Sequence, residues 1–124
     1  MNPPLPSDPD SQDAAQGAAL AWLALIDDEK YVESWDEAAS VFKSRISRDQ
    51  WVDAIRSMQA PIGKVRSRSF SRADFHTTLP GAPDGKYVVI RYRASFEHKE
   101  DAVEIVTPML DQNDIWRVSG YFIR

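Results

Sequence analysis

The sequence predicts an α+β domain in which three N-terminal helices pack on one face of a four-stranded antiparallel meander sheet. Apolar residues recur every three or four positions as far as Met58, and they recur every second position from Lys64 onward. The later segments are separated by turn-forming stretches rich in Pro, Gly and Asp. Helices followed by a run of hairpins are typical of a sheet with its helices on one side.

Three helices follow from the apolar stripes and their flanking residues. The first begins near residues 10–11, where Asp or Ser can cap it, and ends at the aspartate pair 27–28. The third begins with a capping box at residues 47–50 and ends before Pro61. The second lies between them, and its predicted buried stripe is Tyr31, Trp35, Ala38, Ala39 and Phe42.

Four strands account for the rest of the chain. Alternating apolar residues define them, and the runs at 80–85, 97–101 and 111–114 provide the connecting turns. The predicted strands are Val65–Phe75, Tyr87–Phe96, Ala102–Leu110 and Ile115–Ile123.

The register of the last hairpin predicts which side chains face the helices. If Asp111 and Asp114 close its turn, Met109 lies opposite Trp116, and both face the helices. The even-numbered residues of the second strand then share that side. Alternation places a mixture of arginines, aromatic residues and Glu104 on the opposite, outer side, with Glu104 beside Arg93. The residues predicted to bind a partner there are Arg66, Arg68, Tyr87, Arg91, Arg93, Glu104, Arg117 and Tyr121.

Length and composition indicate a single domain. The chain has 124 residues, 43% hydrophobic and 27% charged, which is ordinary globular usage. We expect residues 1–10, which hold four of the eight prolines, to be a disordered leader and residues 11–124 to be the domain. The sequence as given predicts a cytoplasmic protein, because no apolar block follows a basic start. A periplasmic or secreted protein with its signal peptide removed is the alternative.

Composition also weighs against several function classes. The chain has no cysteine, which excludes disulfides, thiolate metal sites and cysteine nucleophiles. His76 and His98 have no partner at ligand spacing, so no metal and no cofactor are expected. Neither a Gly-x-Ser-x-Gly elbow nor a phosphate-loop spacing occurs. The longest apolar run, residues 18–26, is too short to span a membrane.

Charge is distributed unevenly along the chain. The net charge of −4 argues against nucleic-acid binding. Residues 1–53 hold eleven acids against four bases, whereas residues 54–72 hold five bases and no acid. The sequence therefore predicts an acidic helical layer and a basic outer sheet face.

Several strings of the chain occur in the same order as in one bacterial family. They include Pro-Gly-Ala-Pro-Asp-Gly at 80–85, Trp-Arg-Val-Ser-Gly-Tyr at 116–121 and Pro-Ile-Gly-Lys at 61–64. On these strings, residues 18–124 resemble the family of unknown function numbered 4019. The resemblance implies the cone-shaped fold of nuclear transport factor two and ketosteroid isomerase, and a secretion signal in many members. It brings no activity and no catalytic residues, and Ala60 stands where members often have Arg.

These observations favour a non-catalytic interaction domain whose outer sheet face binds a protein partner or a second copy of the chain. Interfaces favour this combination of arginine and aromatic residues. The alternative is a small-ligand binder or an enzyme with a pocket between helices and sheet. Binding of an anionic polymer by the arginines is a third hypothesis, which the net charge weakens. The residues predicted to line the alternative pocket are Trp35, Ser67, Tyr92 and Trp116.

Overall fold

The computed structural model describes residues 9–124, which form four helices followed by a sheet. The elements are α1 (Pro9–Asp27), α2 (Tyr31–Asp36), α3 (Ser40–Arg45), α4 (Arg48–Gln59), β1 (Val65–His76), β2 (Tyr87–Phe96), β3 (Lys99–Asp111) and β4 (Ile115–Ile123). Neighbouring strands are antiparallel and lie in the order β1-β2-β3-β4. The predicted α+β class and meander are confirmed. Of the predicted leader, residues 1–8 lie outside the described residues, and α1 begins at Pro9.

The predicted second helix is two short helices, α2 and α3, and the sheet is the cause. Ala39 adopts an extended backbone, with φ −63° and ψ 154°, and its N–H donates to the carbonyl of Val118 at 2.8 Å. The carboxylate of Asp111 accepts from the backbone N–H of Ser40 at 2.8 Å and so caps α3 from the end of β3. These two long-range bonds outweigh the local helical pattern.

A buried serine joins three of the helices. Ser34 on α2 is fully buried, and its hydroxyl donates to the carbonyl of Tyr31 at 2.6 Å. The indole N–H of Trp51 on α4 donates to this hydroxyl at 2.9 Å, and that of Trp22 on α1 donates to the Ser34 carbonyl at 2.8 Å. Because each indole N–H has an acceptor, both tryptophans can lie in the core.

The predicted capping box of α4 is confirmed. The hydroxyl of Ser47 accepts from the N–H of Gln50 at 3.2 Å, and the side-chain oxygen of Gln50 accepts from the N–H of Ser47 at 3.0 Å. Two N–H groups that the helix cannot satisfy internally therefore have partners.

The inward set of β2 is confirmed, but the predicted face assignment of β3 is wrong. A three-residue turn, with Asn113 and Asp114 at positive φ, pairs Leu110 rather than Met109 with Trp116. The even-numbered residues of β3 therefore face the helices, as the complete burial of Glu104 and Val106 shows.

A bulge in β4 changes its outward set as well. Thr107 pairs with Gly120 but Pro108 pairs with Val118, so Ser119 is left without an opposite residue. Trp116 and Val118 face the helices as predicted. Beyond the bulge the alternation is reversed, so Tyr121 packs against the core and Phe122 points outward, 46% exposed.

Two irregularities in β1 also change which of its residues face outward. The pairing of β1 with β2 shifts between Val65 and Ser67 and again between Phe70 and Arg72. Arg68 pairs with the inward-facing Ala94 and so lies on the helical side of the sheet. The predicted outward position of Arg68 is therefore wrong.

Replacing Ser47 by Ala should lower the free energy of unfolding by about 1 kcal/mol, because it removes the acceptor of the capping box. Urea unfolding followed by circular dichroism measures the change. Ser57→Ala is the matched control, since Ser57 is an exposed residue within α4. Equal stability of the two variants would contradict the role given to the cap.

Replacing Asp111 by Ala should destabilise the protein by about 0.5–2 kcal/mol at neutral pH, as loss of a helix cap does. Burial alone would raise the pKa of Asp111, but hydrogen bonds from Ser40 and from the Gln112 backbone outweigh burial and lower it. A lowered folded-state pKa gives stability that is present above the ordinary carboxyl value and lost as pH falls through the folded value. The difference between wild type and variant should therefore shrink from about pH 4 downward.

Unfolding curves at pH 7 and at acid pH measure that difference. Asp53→Ala, at an exposed residue of α4, is the control and should show no such convergence. A gap between wild type and Asp111→Ala that is the same at both pH values would rule out the carboxylate as the cap.

Candidate functional site

The sheet has an uncovered outer face, opposite the helices, defined here by Arg91, Arg93, Val103, Ile105 and Phe122. Arg91, Ile105 and Phe122 are directly paired across β2, β3 and β4. Ile105 is only 3% exposed although the helical core does not include it, whereas the neighbouring Phe122 is 46% exposed. The outer face thus has an apolar centre that reaches solvent at Phe122.

Arginines surround this apolar centre. Arg93 pairs with Val103 across the strands, and the guanidinium of Arg124 lies 5.7 Å from the centre of the Phe122 ring. Within residues 9–124, Arg91 and Arg93 take part in no ion pair. Arg72, paired with Arg91 across the strands, is neutralised by Asp74 at 2.7 Å. The outer face therefore carries two arginines that no ion pair neutralises, and Glu100 and Asp101 line the same groove as Arg93.

The other predicted outer residues lie in different surroundings. Tyr87 is 1% exposed, and its hydroxyl donates to the carbonyl of Pro83 at 2.6 Å, so the 77–86 loop closes that end of the face. Arg66 is exposed at the first irregularity of β1. Arg117 points from the edge strand β4 towards Glu37, 3.8 Å away. The predicted exposure of Tyr87 is wrong.

Glu104 and Tyr121 lie on the helical side, in an ion-pair cluster with Asp27 and Arg68. Glu104 is fully buried and accepts from Arg68 Nε at 2.5 Å, from Arg68 Nη2 at 3.1 Å and from the Tyr121 hydroxyl at 2.6 Å. The same guanidinium donates to both oxygens of Asp27, at 2.8 and 3.0 Å. Arg93 pairs with Val103, so the predicted contact between Arg93 and Glu104 is wrong.

The ion-pair cluster shifts the titration of its members. Desolvation would lower the pKa of Arg68, but hydrogen bonds to Asp27 and Glu104 outweigh it and raise the pKa. Burial, the charge of Glu104 and the hydrogen bond to Glu104 raise the pKa of Tyr121. Arg68 therefore stays charged, and the Tyr121 hydroxyl stays protonated and able to donate a hydrogen bond, over the pH range in which proteins are folded.

Tyr92 lies beside this cluster and has an unusual hydroxyl. Tyr92 pairs with Glu104 across the strands and is 3% exposed. Its hydroxyl is the one buried side-chain polar atom in the described part of the chain without a hydrogen-bond partner. Burial raises its pKa. Both oxygens of each carboxylate accept from Arg68, and the Tyr92 hydroxyl lies beside the cluster without joining its hydrogen bonds.

The structure does not bring together the four residues predicted to line a pocket between helices and sheet. Trp35 is held elsewhere, since its indole N–H donates to the carbonyl of Ile46 at 2.9 Å. Ser67 is exposed and pairs with Ser95 on the outer side, and Tyr92 is in the core. Of the four residues, only Trp116 lines a groove on the helical side, between α1, α2 and β4.

Two further features concern metals and membranes. Within the described range, no three His, Asp or Glu side chains are grouped closely enough to hold a metal ion. None of the helices described has the length and apolar character that crossing a membrane requires.

Sequence reasoning missed the ion-pair cluster, although one signal pointed to it. Glu104 stands among apolar neighbours in the middle of a strand, and a fully buried carboxylate needs a cationic partner. Simple alternation predicts an outward Arg68, and the irregularity after Val65 makes that prediction wrong.

One comparison with known proteins bears on this chain. A family model described as "Protein of unknown function (DUF4019)" matches residues 18–121, from within α1 to near the end of β4. The match agrees with the resemblance seen in the sequence. The implied cone-shaped fold stays a prediction. No curated protein matches the chain.

Replacing Arg68 by Met should lower the free energy of unfolding by about 3–5 kcal/mol, because it leaves Glu104 buried and unpaired. The double variant Arg68→Met with Glu104→Gln should be more stable than Arg68→Met alone, since it removes the uncompensated charge and keeps an acceptor for Tyr121. Urea unfolding measures both.

Arg66→Met is the matched control and should cost less than about 0.5 kcal/mol, because Arg66 is exposed. Two results would argue against a buried ion pair. One is an equal loss of unfolding free energy in Arg66→Met and Arg68→Met, and the other is a double variant that is less stable than Arg68→Met.

Proposed function

The chain belongs to the family of proteins of unknown function numbered 4019, and we propose that it acts as a non-catalytic interaction domain. Its outer face binds a protein surface that has an apolar centre and an acidic rim. The partner is a second copy of this chain, which presents its helical layer.

The observation that carries the proposal is the exposure of Phe122 beside two arginines that form no ion pair. Phe122 is 46% exposed. Arg91 lies in the same row across the sheet, since Ile105 pairs with both residues, and it has no ion pair within the described range. Arginine and aromatic residues are enriched at protein interfaces, whereas an aromatic side chain without a partner surface gains nothing from exposure to water.

Charge supports the choice of a second copy. In residues 9–59, which contain all four helices, acids outnumber bases by ten to five. The outer face carries Arg91 and Arg93, so stacking of one copy's sheet on another copy's helices brings opposite charges together. A two-fold contact between sheets would instead place these arginines near their own counterparts.

Space beside Phe122 also supports docking. A Cβ added at Gly120 would have no heavy atom within 4 Å, so the face is open next to the aromatic ring. Gly120 pairs with Thr107, which lies next to the row formed by Arg91, Ile105 and Phe122. A side chain of the partner can therefore contact the Phe122 ring without displacing residues of the sheet.

Light scattering over a range of protein concentrations tests the proposal. The mass of the wild type should rise with concentration, and Phe122→Ser and Arg91→Glu should each reduce this rise. Phe70→Ser is the matched control, because Phe70 is 53% exposed but lies on the other side of the sheet, against Tyr92. Circular dichroism of each variant checks that it folds.

Salt distinguishes the two modes of self-association. Added salt should weaken stacking of the basic face on the acidic layer, because it screens the attraction. Salt that strengthens association would indicate a sheet-to-sheet dimer. A wild type that stays monomeric at millimolar concentration would contradict binding between copies.

A further inference from the structure

A groove lies on the helical side, between α1, α2 and the edge strand β4. Its volume is about 480 Å³, which is within the range of sites that hold small organic ligands. Its lining residues are Ala18, Ala21, Trp22, Leu25, Glu33, Asp36, Glu37, Ile115, Trp116, Arg117 and Val118.

Small side chains on α1 create the space in the groove. Ala18 and Ala21 present only methyl groups, and Leu25 continues the same helix face one turn later. Trp116 and Ile115 of β4 form the opposite wall, and Ile115 is 43% exposed. The floor and walls are therefore apolar and open to solvent.

The rim of the groove is acidic. Three of the lining residues are carboxylates of α2 and its C-cap, and Arg117 is the only base among them. Asp36 is paired with Arg48 at 2.9 Å, and Glu37 lies 3.8 Å from Arg117. Glu33 makes no ion pair with any described residue. The lining therefore has an excess of negative charge, and its carboxylates all lie on the α2 side of an apolar cleft.

We propose that this groove binds a small organic cation with an apolar body, such as an aryl-alkyl amine. The apolar body lies between Ala21 and Trp116, and the ammonium lies on the carboxylate side, near Glu33. An anion would meet the excess negative charge, and a neutral ligand would gain only the apolar contact. The groove lies in the helical layer, on the opposite side of the sheet from the outer face. Stacking of a second copy on that layer would compete with the ligand, so binding is measured at a protein concentration at which light scattering gives the mass of the monomer.

The first test compares three probes of equal size, 3-phenylpropylammonium, 3-phenylpropanol and 3-phenylpropionate. Backbone amide shifts in two-dimensional NMR report the affinity and the place of binding. The ammonium should bind about fivefold more tightly than the alcohol, as one charge pair across a few ångströms of water allows. The carboxylate should bind most weakly. Shift changes should centre on α1, α2 and the start of β4.

Variants locate the site. Ala21→Leu fills the groove with a side chain that suits a helix, and it should abolish binding of all three probes. Glu33→Gln should bring the ammonium to the affinity of the alcohol, whereas Asp53→Asn, an exposed acid of α4 outside the groove, should leave both unchanged. Circular dichroism and the melting temperature check the fold of each variant.

The proposal is overturned if the ammonium does not bind at millimolar concentration, if alcohol and ammonium bind equally, or if Ala21→Leu binds as the wild type does. Repeating the titration with Phe122→Ser separates this proposal from self-association, because that variant alters the outer face only. Phe122→Ser removes the sheet side of the proposed interface and leaves the groove unchanged. Binding that is retained or strengthened in this variant supports a groove complete in the single chain, and binding lost in it overturns the assignment to the groove.

Discussion

The buried carboxylate of Glu104 is the constraint on which the arrangement of the sheet depends. A charged group without solvent contact is very unfavourable unless a counter-charge and hydrogen bonds surround it. Glu104 is fully buried in the middle of β3, so a cation must reach it from elsewhere in the fold. Arg68 provides this cation from β1, two strands away, with two hydrogen bonds. Any register that moved Arg68 to the outer face would leave Glu104 unpaired.

This pairing explains other features of the sheet. Arg68 must pass over β2 to reach β3, and its partner in β2 is Ala94, whose small side chain leaves room for the guanidinium. The irregularities on either side of Arg68 place it inward without turning all of β1 with it. The same guanidinium holds Asp27, the last residue of α1, so one side chain connects the helical layer, β1 and β3.

Local patterns predicted the elements well, and they failed where strands are irregular. The capping box at Ser47 and the alternation of β2 required only neighbouring residues, and both are correct. The face of Tyr121 depended on Ser119 being paired, but Ser119 bulges and donates its hydroxyl to the carbonyl of Thr107 at 2.8 Å. The break in the second helix depended on a bond from Ala39 to Val118, which is distant in sequence. A period of two cannot signal a bulge or the length of a turn, so the errors in sheet faces began at the bulges of β1 and β4 and at the three-residue turn between β3 and β4.

The balance of charge within each cluster separates structural from functional residues in this protein. Asp27, Arg68 and Glu104 satisfy one another in hydrogen-bonded ion pairs, with Glu104 fully buried and Asp27 partly exposed, so their charges are used within the fold. Arg91, Arg93 and Glu33 lie at the surface without an internal counter-ion in the described part of the chain. Alternation predicts Arg68, Arg91 and Arg93 on the same outer face. In the structure Arg68 forms ion pairs on the helical side, whereas Arg91 and Arg93 form none. A charge that folding leaves unbalanced is available to a ligand or a partner, and here such charges border the two open apolar surfaces, one on each side of the sheet.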